Sequence, residues 1–189
     1  SAPELRIQAG GPDGSQTLVV GKKEDAGYFA MNSALDTVFT LDAGFITQFQ
    51  KQPDDLRDKD LFSFSSFEVK RVEVEAPGGA RVFEKKEENK WKQTAPAAKD
   101  VPTEKLESLL DHLRDLRAVS FPRGTNLDSF GLAKPAYRFK VQFGDKNEEQ
   151  TVEAAKVGER VYARRSSDPV ACEVSSTALE DIEKALKEL

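Results

Sequence analysis

The same order of predicted strands and helix occurs near both ends of this chain of 189 residues. Near the C-terminus, apolar and polar residues alternate from Tyr137 to Phe143, with the two-residue period of a half-buried strand. A turn at 144–147 and three further short strands follow, and the apolar residues between Ala178 and Leu189 then lie on one face of a helix. The pattern predicts a four-stranded antiparallel unit that is closed by a helix.

The N-terminal stretch repeats this order at an offset of about 133 residues. Leu5 and Ile7 alternate with polar residues, glycines at 10, 11 and 14 predict a turn, and three more strands are predicted between Gln16 and Leu41. The helix that follows is predicted to direct three side chains inward, namely Phe45, Ile46 and Phe49. The recurrence predicts a duplicated unit, and two unrelated β-meanders of similar length are the alternative.

A different unit is predicted between the two copies. Alternation from Val72 to Ala76 predicts a strand, Pro77-Gly78-Gly79 predicts a turn, and two further strands are predicted at 81–83 and 90–93. The helix that follows carries leucine at the spacing of one buried face, at Leu106, Leu109, Leu110, Leu113 and Leu116. This stretch is therefore predicted to form a three-stranded sheet with a Leu-rich helix.

The predicted fold class is α+β, with antiparallel β-meanders each packed against one α-helix and repeated in tandem. The predicted organisation is a first copy at 1–52, a linker at 53–60, the three-stranded unit at 61–121, a linker at 122–134 and a second copy at 135–189. Both linkers contain proline and few apolar residues, which favours irregular structure.

The composition argues against several classes of function. The chain has 28 Lys and Arg against 33 Asp and Glu, interspersed, and so lacks the basic tract that phosphate backbones attract. One cysteine and one histidine cannot supply the clustered thiolates or imidazoles of common zinc sites, and neither glycine-rich phosphate-binding signature occurs. We therefore predict no nucleic-acid partner, no cofactor, no metal site and no catalytic residue.

Three single residues are candidates for chemistry or binding. His112 flanks the leucine face of its helix and is predicted to be a surface residue, and Cys172 in a short strand is predicted to be a buried, unreactive thiol. Trp91 is predicted to be the inward apolar residue of a strand. The alternative for Trp91 is an exposed aromatic side chain that contacts a partner or a sugar.

An acidic cluster lies in the first predicted linker, formed by Asp54, Asp55, Asp58 and Asp60. Its spacing lacks the central glycine and the distal glutamate of a calcium loop, and Arg57 and Lys59 alternate with the carboxylates. We interpret the cluster as a solvated linker.

Several short motifs resemble one bacterial family. They are Leu56-Arg57-Asp58-Lys59 before a Phe-rich segment, Trp91 followed by Pro96, Leu116-Arg117-Ala118 after the Leu-rich helix, and Phe130-Gly131-Leu132 ahead of Pro135. Together with the order of the units, from about Leu5 to the C-terminus, they resemble the bacterial domain of unknown function 4340.

The resemblance implies an extracytoplasmic, repeat-containing protein that meets the membrane only through an N-terminal anchor. It also implies that the gene for such a protein often lies beside the genes for components of an ABC-type transport system related to gliding motility. The family's usual order of units implies that these 189 residues start partway through a repeat, without the anchor and a preceding half-unit. The resemblance brings no catalytic residues.

The leading functional hypothesis is a non-enzymatic interaction or scaffolding module at the cell envelope, an accessory to a membrane transport complex. Its partners would be proteins that add strands to open sheet edges. The alternative is a ligand-binding or hydrolytic domain whose site lies between units and is lined by Trp91 and loop carboxylates.

Overall fold

The computed structural model describes residues 2–12, 14–25, 27–35, 37–86 and 90–189. The chain divides into two compact units, Ser1–Arg57 and Asp58–Leu189. Each unit combines an antiparallel sheet with helix, so the predicted α+β class is confirmed.

The first unit is a four-stranded meander followed by a short helix. Its elements in chain order are β1 (Leu5–Gly11), β2 (Gly14–Glu24), β3 (Gly27–Asn32), β4 (Val38–Asp42) and α1 (Ala43–Thr47). Strands that are consecutive in the chain are neighbours in the sheet, as short connections between antiparallel strands require. The Asp42 carboxylate accepts a hydrogen bond of 2.6 Å from the Gly44 amide and so caps α1.

The core of the first unit is small. Val20, Ala30 and Ile46 are buried, and five partly buried side chains pack around them: Leu5, Leu18, Tyr28, Phe39 and Leu41.

The prediction that Phe45, Ile46 and Phe49 all point inward is wrong for the two phenylalanines, which are 38% and 43% exposed. Their rings contact each other instead, with centroids 5.1 Å apart. The physical reason is the length of α1, because a helix of little more than one turn can bury only one narrow strip of its surface.

The second unit contains a nine-stranded antiparallel sheet and two helices. Its strands are β5 (Val69–Ala76), β6 (Gly79–Lys85), β7 (Trp91–Ala95), β8 (Lys99–Val101), β9 (Ala118–Ser120), β10 (Tyr137–Phe143), β11 (Glu148–Val157), β12 (Arg160–Arg165) and β13 (Cys172–Val174). The helices are α2 (Thr103–Arg114) and α3 (Ser176–Lys187). The strand order across the sheet is β8-β7-β6-β5-β10-β11-β12-β13-β9.

Pairing of β5 with β10 joins two stretches that the sequence analysis treats as separate units. Val74 lies opposite Phe139 and Val72 opposite Val141, so 61–121 and 135–189 share one sheet and one compact unit. The alternation that predicts β10 reveals which face is buried, but it carries no information about the strand on either edge. β8 and β9 were not predicted, because a strand of three residues is too short to show an alternation of apolar and polar residues.

Both helices of the second unit lie on one face of the nine-stranded sheet. The predicted leucine face of α2 is buried, and α3 adds Leu179, Ile182, Ala185 and Leu186 to the same core. The strands contribute Phe83, Trp91 and Phe139, among others. The prediction of a buried leucine face is therefore confirmed.

The segment predicted as the second linker is packed on the other face of this sheet. A 3₁₀ turn at Leu127–Phe130 places Phe130 and Leu132 in a second buried cluster, where the Phe130 ring centroid is 4.9 Å from that of Tyr162. Gly131 has a φ of 69°, and a β-carbon there would lie 3.0 Å from Cβ of Ala155. Only glycine therefore allows this segment to approach the sheet so closely.

Candidate functional site

The residues considered for catalysis lie on different elements of the second unit. His112 is half-buried on α2, and Cys172 is buried in β13. Within the described ranges, no group of three or more His, Cys, Asp or Glu side chains is placed to hold a metal ion. Nucleophilic and metal-dependent chemistry both need convergent groups, which these positions do not form.

Cys172 is in an environment that suppresses thiolate chemistry. Burial is the main cause that raises the pKa of its thiol to about 11, and the sulfur donates a hydrogen bond of 3.4 Å to the Ala163 carbonyl.

We predict that a thiol reagent at pH 8 modifies the native protein at least ~10-fold more slowly than the urea-unfolded chain, because both the thiolate population and the access of the reagent to Cys172 are reduced. Equal rates in the two states would show that the thiol is accessible.

Three of the four carboxylates of the predicted acidic linker bind separate arginines. Asp54 lies 3.3 Å from Arg57, Asp58 lies 3.0 Å from Arg165, and Asp60 lies 2.7 Å from Arg117. A hydrogen bond from the Asp60 amide and the nearby Arg165 hold the pKa of Asp58 below its usual value. Asp58 and Asp60 thus form ion pairs within the second unit, and Asp54 forms one within the first.

Trp91 is 2% exposed and belongs to the core under α2. Its ring centroid lies 5.9 Å from the Lys85 ammonium. The side chain borders an open pocket of about 290 Å³, and Glu107 and Asp111 also line this pocket. The inward orientation expected for Trp91 is what the structure shows. This burial counts against direct contact of Trp91 with a partner or a sugar.

A second pocket, of about 220 Å³, lies where the β5–β6 turn meets the end of α3. There Tyr137 donates a hydrogen bond to Glu183, and Arg81 donates one of 2.6 Å to the Leu186 carbonyl at the end of α3. Burial and the contact with Glu183 raise the pKa of Tyr137 to about 12, so the phenol stays protonated at neutral pH. Arg81 thereby caps the last turn of α3, and both contacts fix the helix to the sheet.

An exposed apolar surface that the strand register brings together lies on the first sheet. Val19, Met31 and Val38 are cross-strand neighbours on the face opposite the core, and Phe29 lies on that face two residues before Met31. Phe29 and Met31 are 44% exposed and Val38 is 63% exposed. We call these four residues the apolar patch.

The apolar patch was missed by the sequence analysis, although the sequence carries a signal for it. Tyr28-Phe29-Ala30-Met31 is apolar at consecutive positions, so β3 presents apolar side chains to both faces of the sheet. A strand with this pattern is usually covered on both faces.

The four-stranded sheet also has two edges without partners in the described ranges, along β1 and β4. The nine-stranded sheet ends instead in the three-residue strands β8 and β9. A longer unpaired strand offers a longer row of free backbone donors and acceptors.

None of the helices within the described residues combines the length and the apolar character needed to cross a bilayer. Residues 1–135 match the family model described as "Domain of unknown function (DUF4340)". No curated protein and no solved structure matches the chain.

Proposed function

The chain belongs to the family described as domain of unknown function 4340, and on that basis we propose that it is a non-enzymatic interaction module of the bacterial cell envelope. The proposed setting is extracytoplasmic, as an accessory to an ABC-type transport complex of the kind related to gliding motility. The proposed partners are proteins, and the observation that carries the proposal is the apolar patch.

The apolar patch has the properties of a contact surface. Its three most exposed members, Phe29, Met31 and Val38, are adjacent on one sheet face instead of scattered, and contiguous apolar surface on a soluble unit commonly marks an interaction site. Covering it removes apolar area from water, which is the main driving force of protein association. Strand edges beside the patch add backbone hydrogen bonds to that contact.

We further propose that the first unit and 135–189 are tandem copies of one unit, each a meander with a helix. The cross-strand row Leu5, Val20, Ala30 and Phe39 has the same register as the row Tyr137, Ala154, Ala163 and Cys172.

Phe29 of the apolar patch corresponds in this alignment to Tyr162, which Phe130 covers in the second unit. Phe29 therefore occupies a position that is buried in the other copy.

The test removes the patch without disturbing the sheet. We would replace Met31 with Glu and Val38 with Lys together, because these residues face each other across β3 and β4 and the new charges attract. The natural full-length protein would be crosslinked in membranes of its own cells, captured and analysed by mass spectrometry. We expect transporter subunits with the wild type and their loss with the double variant.

The matched control is Phe67→Lys, which removes a side chain that is 90% exposed in the second unit. This variant is expected to keep the transporter subunits. Recovery of the same subunits with the double variant would show that the patch is not the contact, and absence of any transporter subunit from the wild-type capture would overturn the proposed role.

A further inference from the structure

The pocket between the β5–β6 turn and the end of α3 has mostly apolar walls. The apolar lining consists of Val74, Ala76, Pro77 and Leu186, together with Tyr137. Val74 and Leu186 belong to the core of the second unit, so the pocket borders that core. A cavity of about 150 Å³ with aliphatic walls is large enough for benzene. This pocket, of about 220 Å³, therefore has room for one substituted aromatic ring or an aliphatic group of similar size.

The described chain passes this pocket without filling it. Every lining residue belongs to the second unit, in β5, the β5–β6 turn, β6, β10 or α3. Beyond α3 the chain reaches β8, where Lys99 donates a hydrogen bond to the Leu189 carbonyl. Because β8 lies three positions away from β5 in the sheet, the residues after α3 run towards the sheet edge and not over the pocket.

The pocket lining contains two cations that form no ion pair with the described residues, Arg81 and Lys187. Arg81 is half-buried and donates one hydrogen bond, to the Leu186 carbonyl. A guanidinium has five N–H groups, so Arg81 keeps donors for a ligand. Lys187 is exposed, and its ammonium is accessible to the same ligand.

The carboxylate that lines the pocket is already hydrogen-bonded. Tyr137 donates a hydrogen bond to Glu183, which is half-buried on α3. The carbonyls at the end of a helix carry partial negative charge, and Arg81 offsets this charge through its bond to Leu186. The lining residues thus combine two positive charges with one negative charge, which favours an anionic ligand over a cationic one.

We propose that this pocket binds a small carboxylate ligand. The apolar part of the ligand, one aromatic ring or an aliphatic group of that size, lies against Val74 and Leu186. Its carboxylate accepts hydrogen bonds from Arg81 and Lys187, since hydrogen bonds between charged partners are the stronger kind. This inference goes beyond the proposed function, because it assigns a ligand site in the second unit that does not involve the apolar patch.

The test titrates the isotope-labelled 189-residue chain with para-ethylbenzoate and follows the amide signals by nuclear magnetic resonance. We expect saturable binding with a Kd of about 1 mM or below, as for a ligand of this size in a fitting pocket. The chemical-shift changes are expected at 76–81 and in the last turn of α3. para-Ethylbenzylamine carries the opposite charge on the same ring and is expected to bind at least ~10-fold more weakly.

Lys187→Glu is expected to weaken binding of para-ethylbenzoate by about 3- to 10-fold, because an attractive exposed pair becomes repulsive. The matched control is Lys184→Glu, which makes the same change at an exposed lysine of α3 outside the pocket lining. At about 0.15 M salt it is expected to change the affinity less than ~2-fold, because solvent ions screen the more distant charge.

Ala76→Leu places a larger side chain in the pocket and is expected to abolish binding. Circular dichroism and Trp91 fluorescence would show that this variant is folded. Absence of saturable binding, equal affinity for the amine, or shift changes confined to other parts of the chain would each overturn the proposal. Equal effects of Lys187→Glu and Lys184→Glu, or unchanged affinity of the Ala76→Leu chain, would overturn it as well. The assay contains no partner protein, so its outcome is independent of the envelope role.

Discussion

Replacing Ile182 with alanine is expected to shift the urea unfolding transition reported by the fluorescence of Trp91, the one tryptophan of the chain. Ile182 is fully buried in α3, whereas Trp91 belongs to β7, which is three positions away from β10, the nearest strand of 135–189 in the sheet. The two side chains share one core, so loss of the aliphatic group is expected to cost about 2–5 kcal/mol and to lower the Trp91 midpoint accordingly.

The matched control is Ile46→Ala, which removes the same side chain from the core of the first unit, where Ile46 is 1% exposed. This change is expected to leave the Trp91 transition in place, because Ile46 belongs to a separate buried cluster. An Ile182→Ala protein whose Trp91 transition is unchanged would show that 61–121 folds independently of 135–189.

Replacing Leu109 with alanine is expected to destabilise the second unit by about 2–5 kcal/mol. Leu109 is fully buried in the middle of α2, between the helix and the sheet, so truncation leaves a cavity that the surrounding strands fill only in part. The free energy would be obtained from urea unfolding followed by Trp91 fluorescence and by circular dichroism.

Ser108→Ala is the control for this variant, since Ser108 is the exposed neighbour on the same helix. It is expected to change stability by no more than about 0.5 kcal/mol. Wild-type stability of the Leu109→Ala protein would mean that the leucine face of α2 is not packed as core.

The alternation of apolar residues was sufficient to predict the longer strands and the buried face of each helix. Tyr137, Phe139 and Val141 point to the core as their period requires, and so do the leucines of α2. Hydrophobic period depends only on local sequence, which is why these elements could be recognised one by one.

The assembly of the strands could not be predicted in the same way. β5 and β10 pair across more than 60 residues of chain, and nothing in Val74 or Phe139 specifies the other as its neighbour. The packing of Phe130 on Tyr162 could not be predicted for a related reason. A segment that contains proline and glycine resembles a linker in sequence, and only the structure shows that Phe130 and Leu132 pack against the sheet.

The candidate surfaces also differ in how far local sequence could have predicted them. The apolar patch follows from four consecutive apolar residues in β3 and was open to prediction. The correspondence between the outer edge of β1 and the edge of β10 that pairs with β5 is visible only from the register of both sheets.

The strand order of the second unit also determines when its sheet can form. β10 to β13 stand between β5 and β9, so the last four strands of the chain enter a gap whose two sides precede them in sequence. A ribosome or a translocation pore delivers β5 and β9 first. β5 can pair at once with β6, but its second neighbour β10 begins only at Tyr137, and β9 has no sheet neighbour until β13 emerges at Cys172. Completion of this sheet is therefore a late event dominated by distant contacts, and a chain interrupted before β13 leaves β9 without its neighbour.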